Sequence, residues 1–436
     1  MKPFALLSCA WLLASLPLAA HAWSNHSLGS LLALRGMPEL AAEVPAEPLE
    51  AFLLDQAPAI ERLLDQQESF AREHFPGYPA RPDNLRWLAA GLKEPRQAFL
   101  RALRINPEVR LASFIQQLPG QDAGGRRRLL SQDVLVFHKI GPWSHWRYLE
   151  LQPGEAVSAL QVLASAADEP DYGHDINLFR DNPGTAGQDY NFGEQPFGDA
   201  RFEYSSQAPF HIGYYHESEL IFTAAPYLAR TLPHWRIYQY SGLARLAFAS
   251  GHPYWGYRFL GWALHYLQDL TQPYHARVLP GVGTGDMVLI AAKAEAGYPE
   301  DREAAIQRVA DRHTAIEHYQ LERMQLLMHD GPADHPLLAA YADLRQDAGS
   351  PAVGPDYAVQ VVAAESQARA DQLDQLIGLW LARQAASQGF SAGNQLASAN
   401  DPAMEQLLVE LFRNFGTHSR QAVRASLPEV SASRQP

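Results

Sequence analysis

The stretch "HYLQDLTQPYH", residues 265 to 275, sets two histidines and an aspartate into an otherwise apolar helix pattern. His265 and Asp269 stand four apart, one turn above the other on one helix face, so both side chains can grip a single ion. Pro273 cannot continue a helix and pushes the chain before it towards extended geometry. His275 is therefore carried round a bend, where it is placed to serve a second ion. "RHTAIEHYQ" repeats the i, i+4 spacing with His313 and Glu317. Upstream, "DEPDYGHD" offers Asp168, Asp171 and Asp175 just after an apolar helix, and "PFHIGYYHE" offers His211 and His216. Imidazole and carboxylate without thiolate suit zinc in a hydrolytic site better than they suit a structural cysteine site.

Helices must position these groups. Apolar residues recur at helical spacing near Leu49 to Glu73, Asn84 to Arg104, Glu217 to Leu228, Trp235 to Ala249, Tyr254 to Leu270, Asp301 to Met328, Tyr357 to Gln384 and Pro402 to Ala425. Strand signals are few: "DVLVFHK" at 133–139 and "WRYLEL" at 146–151 read as a small hairpin. The expected fold is all-α, a multi-helix domain with helical insertions, a long loop and a minor β-hairpin. From Tyr172 to Pro209 the chain is rich in Gly, Asp, Asn and aromatic residues without periodicity, the pattern of a functional loop. Neither an internal repeat nor a low-complexity linker divides the chain. A single helical catalytic domain is expected over 23–428, with insertions at about 45–130 and 172–210 and a disordered tail at 429–436.

Of the 436 residues, 47% are hydrophobic and 19% charged, a globular composition able to bury a core. "MKPFALLSCAWLLASLPLAAHA" has a basic start at Lys2, an apolar stretch and an Ala20-His21-Ala22 end, the pattern of an export signal cleaved between Ala22 and Trp23. Cys9, the only cysteine, would leave with it, so the core or bound metals must hold the exported protein. Without Lys2, 34 basic residues face 48 acidic ones, a net charge of −14 that argues against nucleic acid as a partner. No later run approaches a membrane-spanning length, so the mature chain is expected to be secreted or periplasmic, and a monomer. Its new N-terminus, Trp23-Ser24-Asn25-His26, gathers a free amine, a backbone carbonyl and an imidazole within reach of one ion.

Taken in order, an N-terminal Trp, an early His, an Asp-Tyr, a His, H-x-x-x-D-x-x-x-x-x-H and H-x-x-x-E resemble the bacterial zinc-dependent phospholipase C family. That family shares its all-helical fold with the single-strand-specific zinc nucleases. "HYLQDLTQPYH" is similar to the family's H-Y-x-x-D-x-x-x-P-x-H segment almost position for position. The resemblance implies three zinc ions. His275, His313 and Glu317 would hold one, and Asp171, His211, His265 and Asp269 a second. The Trp23 amine and carbonyl with His26 would hold the third, with Asp269 as a bridge. Asp171 is preferred to Asp168 because Asp171-Tyr172 matches the family's Asp-Tyr pair, and His211 is preferred to His216. The chain departs from the compact members in its longer spacings 26 to 171, 171 to 211 and 275 to 313, and in a His26 closer to Trp23.

The activity implied is that of a phospholipase C, hydrolysing phosphatidylcholine at a membrane surface to diacylglycerol and phosphocholine. Zinc lowers the pKa of a bound water from 15.7 to roughly 7, making hydroxide available at neutral pH, and its charge opposes that growing on phosphoryl oxygens. Asp171 is the expected general base, a role worth about 10² to 10⁴ in rate. Tyr172 matches the family position whose ring faces the choline, a cation–π contact worth roughly 0.5 to 2 kcal/mol. Trp143, Trp146, Phe192, Phe197 and Tyr204 are candidates for contact with lipid. The alternative on the same metal site is an exported single-strand nuclease or nucleotide phosphatase, which needs base-stacking aromatics and local cations.

Overall fold

A computed structural model describes residues 23, 26–75, 77–90, 93–117, 121–137, 146–198, 203–332, 334–387 and 401–428. The expected leader, Trp143, the end of the 133–139 segment and the tail 429–436 lie outside the described residues. In chain order, α1 (His26–Leu34), β1 (Glu43–Pro45), α2 (Leu49–Asp55), α3 (Ala57–His74) and α4 (Pro95–Leu103) come first. The strands β2 (Phe114–Gln116), β3 (Arg128–Leu129), β4 (Tyr148–Glu150) and β5 (Ala156–Ser158) follow, then α5 (Ala159–Ala166), α6 (Ala186–Asp189), α7 (Ala208–His211) and α8 (Glu219–Ala224). The long helices close the chain: α9 (Pro233–Ala249), α10 (Pro253–Asp269), α11 (Thr284–Glu295), α12 (Glu300–Asp330), α13 (Pro336–Tyr341), α14 (Ala364–Ser387) and α15 (Pro402–Ser426). The fold is all-α, as expected.

The axis of the molecule is α10. Pro253 opens it at a position where a missing N–H costs nothing, and every residue from Tyr254 to Asp269 is buried. A helix apolar on all sides must be surrounded. α9, α5 and α15 pack around it, and α1 lies between α5 and α15. Gly261 sets the α5–α10 distance, since a Cβ there would stand 2.6 Å from both Ala166 Cβ and the Leu163 carbonyl. One core cluster draws residues from Trp23 to Val423. Each large side chain so buried contributes roughly 1.5–3 kcal/mol.

Helices with unbroken apolar periodicity lie where the sequence puts them, and prolines cut the others. Leu49 to Glu73 breaks at Gln56 into α2 and α3, with Pro58 at the second residue of α3. Asn84 to Arg104 becomes two short 3-10 turns followed by α4, which starts at Pro95. Glu217 to Leu228 stops at Ala224 and resumes as a 3-10 turn from Pro226. A π-helical stretch, Ala358–Ala363, leads into α14.

The hairpin expectation needs correction. β4 lies inside 146–151, but its antiparallel partners are β2 and β3. Ser131–Asp133 is a 3-10 turn closed by the Asp133 carboxylate on the Leu130 N–H. Val134, Leu135 and Phe137 are buried beyond it in a second core with Phe114, Tyr148 and Tyr172, a packing that strand alternation does not describe. β1 pairs with β5 in a separate two-stranded ribbon.

Candidate metal centre

Three buried groups of His, Asp and Glu place their ligand atoms within 4.8 Å of one another: His26, His265 and Asp269; Asp171, His211 and His265; His275, His313 and Glu317. These are all eight side chains that the resemblance names as ligands. They come from α1, the turn after α5, α7, α10, the turn after α10 and α12. His265 and Asp269 share the face of α10 as their spacing requires. His275 sits in a 3-10 turn, Pro273–His275, whose Tyr274 N–H is capped by the Gln272 side chain. His313 and Glu317 lie on the buried stripe of α12 with Ile316, Gln320, Met324 and Leu327.

The histidines are oriented before any ion arrives. His265 Nδ1 lies 2.7 Å from the Ala167 carbonyl, His275 Nδ1 2.8 Å from the His211 carbonyl, and His26 Nδ1 2.9 Å from Gln268 Oε1. A carbonyl oxygen can only accept, so Nδ1 carries the proton in each and Nε2 keeps a lone pair for a ligand. Asp269 spans two groups: Oδ1 is 3.3 Å from His26 Nε2, while Oδ2 is 2.8 Å from His211 Nδ1 and 3.4 Å from His265 Nε2. Asp171 Oδ1 is 3.6 Å from His265 Nε2 and 3.9 Å from His211 Nδ1. In the third group His313 Nε2 is 2.7 Å from Glu317 Oε1, and the His275 and His313 rings meet edge to face at 5.0 Å.

Burial holds His265 well below the usual histidine range and His275 down to about 4, so both imidazoles are neutral at neutral pH. His211 runs the other way: burial pulls it down, but Asp269, Asp175 and Asp171 raise it to about 10. Burial pushes Asp171 up to about 7 against the nearby His211 and His26. Burial also opposes ionisation of Asp269, yet His265, His211 and His26 hold it well below the usual carboxylate range.

The donor set fits a divalent cation. His26 Nε2, Asp171 Oδ1, Asp269 Oδ1 and His275 Nε2 are buried without a hydrogen-bond partner. Such atoms cost free energy unless something positive lies between them. Of the eight side chains, Asp171, His211 and His313 keep the most exposure, at 4, 4 and 6%, and the other five are at most 1% exposed. A cavity lined by Gly77, Phe179, Phe192 and Arg230 shares no residue with the three groups.

The open choices are placed by geometry. Asp168 lies outside the groups, where its carboxylate accepts the Ser27 N–H at 3.0 Å and the Ser27 hydroxyl, tying down the start of α1. His216 lies outside them as well, 2.7 Å from the Val359 carbonyl. Trp23 is buried, its indole N–H donating to Thr271 Oγ1 at 2.8 Å and its ring edge-on to Phe412. Ser24 and Asn25 lie outside the described residues.

Tyr172 is 2% exposed, its hydroxyl 3.1 Å from Gln116 Oε1 and its ring between Phe114 and Tyr148, so packing occupies it in this conformation. Phe192 is a core residue against Phe179 and Phe210, not a surface aromatic, and Leu178 and Tyr190 of the same stretch are buried in that core with it. Phe197 packs on Tyr214, Tyr204 stacks on Phe137, and Trp146 lies partly buried against the second core. Gln268, which orients His26 and also donates to Ser30 and Ser419, carries no sequence signal beyond its place between His265 and Asp269.

No family model, curated protein or solved structure matches the chain.

Proposed function

We propose that the protein is an exported, zinc-dependent phosphodiesterase whose substrate is a phospholipid, cleaved as a phospholipase C cleaves phosphatidylcholine. The observation that carries this reading is the convergence of eight dispersed side chains into three buried groups, two of which share His265 and adjoin at Asp269. The reading assigns one ion to His275, His313 and Glu317, and a second to Asp171, His211, His265 and Asp269. A third falls to His26 with the Trp23 amine and carbonyl, Asp269 bridging. Bound zinc would supply Lewis acidity, lowering the pKa of a water and neutralising charge on a phosphoryl group. The chain's own part is to hold His265 and His275 neutral with Nε2 forward, to keep Asp269 ionised between two groups, and to exclude bulk water. Asp171, raised to about 7, would take a proton from the attacking water.

Net charge favours lipid over nucleic acid: 48 acidic against 35 basic residues make a poor field for a polyanion. No helix among the described residues is long and apolar enough to cross a membrane. The deciding experiment assays phosphatidylcholine vesicles and single-stranded DNA side by side with zinc-loaded protein. Release of phosphocholine is expected. Hydrolysis of DNA alone would replace the lipid reading with the nuclease one, and inertness towards both at full zinc content would leave a binding protein.

A further inference from the structure

One histidine of the centre is turned round. His26, His265 and His275 each bind a carbonyl oxygen through Nδ1 and present Nε2, whereas His211 presents Nδ1, 3.0 Å from His265 Nε2. Its Nε2 points away from the centre, at ion-pair distance from Asp175 Oδ2, 3.5 Å. Asp175 is wholly buried and firmly held. Arg236 donates to Oδ1 from Nε at 3.0 Å and from Nη2 at 2.6 Å, and the Tyr266 hydroxyl donates to Oδ2 at 2.5 Å. Arg236 is anchored in turn on the Leu103 and Arg104 carbonyls and on Gln239. Three donors thus fix the carboxylate plane and leave Oδ2 one free direction, the one facing His211. A buried carboxylate with an Arg partner is neutral as a pair and needs no contact with a ligand to exist, so this aim is not a by-product of charge pairing.

We propose that Asp175 is the positioning residue that keeps the His211 proton on Nε2 and turns Nδ1 towards the ion of the Asp171, His211 and His265 group. The inference rests on the metal-centre reading above. Partners in the outer shell of a metal site typically account for 10- to 100-fold in affinity. Tyr266 sits one residue after His265 on α10, so the same helix that supplies one ligand steadies the carboxylate that orients another.

The test is zinc binding, read separately from turnover. In Asp175→Asn the amide oxygen serves Arg236 and the NH2 is left facing His211, a donor set against a donor, which drives the proton to Nδ1 and blocks the ligand atom. Atomic absorption should find one zinc fewer per chain, with the other sites filled and helical circular dichroism unchanged. Competition with a chromophoric chelator should show the lost site weakened about 10- to 100-fold, and excess zinc should restore turnover. Full zinc content at unchanged affinity overturns the proposal. If Asp175→Asn fails to fold, Tyr266→Phe carries the test, because it leaves the Asp175–Arg236 pair intact. A several-fold loss at that one site supports the proposal, and unchanged affinity overturns it. Wild-type protein that binds zinc but cleaves no phosphodiester refutes the functional reading alone, since selective ion loss in Asp175→Asn still supports the positioning role. Wild-type protein that binds no zinc overturns both.

Discussion

Asp168, Glu169, Asp171 and Asp175 stand within eight residues of one another, all buried, and each has a different task. Asp168 fastens Ser27, Glu169 receives Arg258 and the Trp262 indole, Asp171 joins a ligand group, and Asp175 backs His211. The sequence shows that acids cluster there, and no more, because the partners that assign each task lie far away along the chain. Asp168→Asn should keep all zinc and turnover while losing about 1 kcal/mol, since an amide oxygen still accepts one of the two Ser27 bonds. Asp171→Asn should abolish turnover. Denaturant unfolding and zinc analysis of the two variants check this, and the opposite pattern would exchange their roles. Asp269 faces His26 through one oxygen and His211 and His265 through the other, whereas His313 belongs to a single group, so Asp269→Ala should release two zinc ions and His313→Ala one. Equal losses from both would mean that Asp269 does not serve two ions.

The helices that carry the site were readable because their apolar periodicity runs without interruption: Tyr254 to Leu270 was expected where α10 spans Pro253–Asp269, and Asp301 to Met328 where α12 spans Glu300–Asp330. Segments containing an internal proline show helical periodicity over a longer span than the helix they form, and α11 gives no helical signal because it is apolar yet buries little beyond Met287 and so has no clear periodic face. What spacing cannot show is how closely elements approach. Gly261→Ala should push α5 away from α10 and shift the Asp168–Asp171 turn that follows α5, a cost of about 1–3 kcal/mol with weakened zinc binding. Unaltered urea unfolding and zinc titration would show that the contact yields freely. A second joint is pH-dependent. His252, in the turn between α9 and α10, has one ring nitrogen 2.8 Å from Glu47 and the other 3.1 Å from Asp55. Burial lowers its pKa, but the bonds to Asp55 and Glu47 outweigh it, so the net shift is upward. A raised folded value means that the stabilisation is fully present below the unfolded pKa of about 6.5 and is lost as pH rises through the folded value. The melting-temperature gap between wild type and His252→Gln should therefore be widest below about pH 6 and narrow in alkali. A gap that does not change with pH would mean that the contacts are made by neutral imidazole.

At the scale of the whole molecule, residues far apart along the chain meet beside the centre, where the His26 ring faces Phe415. Trp23 packs on Phe412 and bonds Thr271, while α1 lies against α15. An α-amino group, with a pKa of about 7.7 to 8.0, binds metal once deprotonated, and an internal peptide nitrogen does not. The trimmed chain beginning at Trp23 should therefore bind one zinc more than the same chain with an alanine ahead of it, and only the trimmed form should turn over lipid. Equal zinc and equal turnover would make Trp23 a core residue alone. The ligands His26, Asp171, His211, His265, Asp269, His275, His313 and Glu317 are also strung across most of the chain, and that has a consequence in time. A polypeptide that is made, or threaded through a membrane, from its N-terminus shows at first only single candidate ligands or local pairs such as His265 with Asp269, none of them a complete group. Long loops must close before any group is complete, so the centre forms late in folding. Because Irving–Williams affinities alone would favour copper, an ion bound at such a centre would be chosen by the compartment in which folding ends.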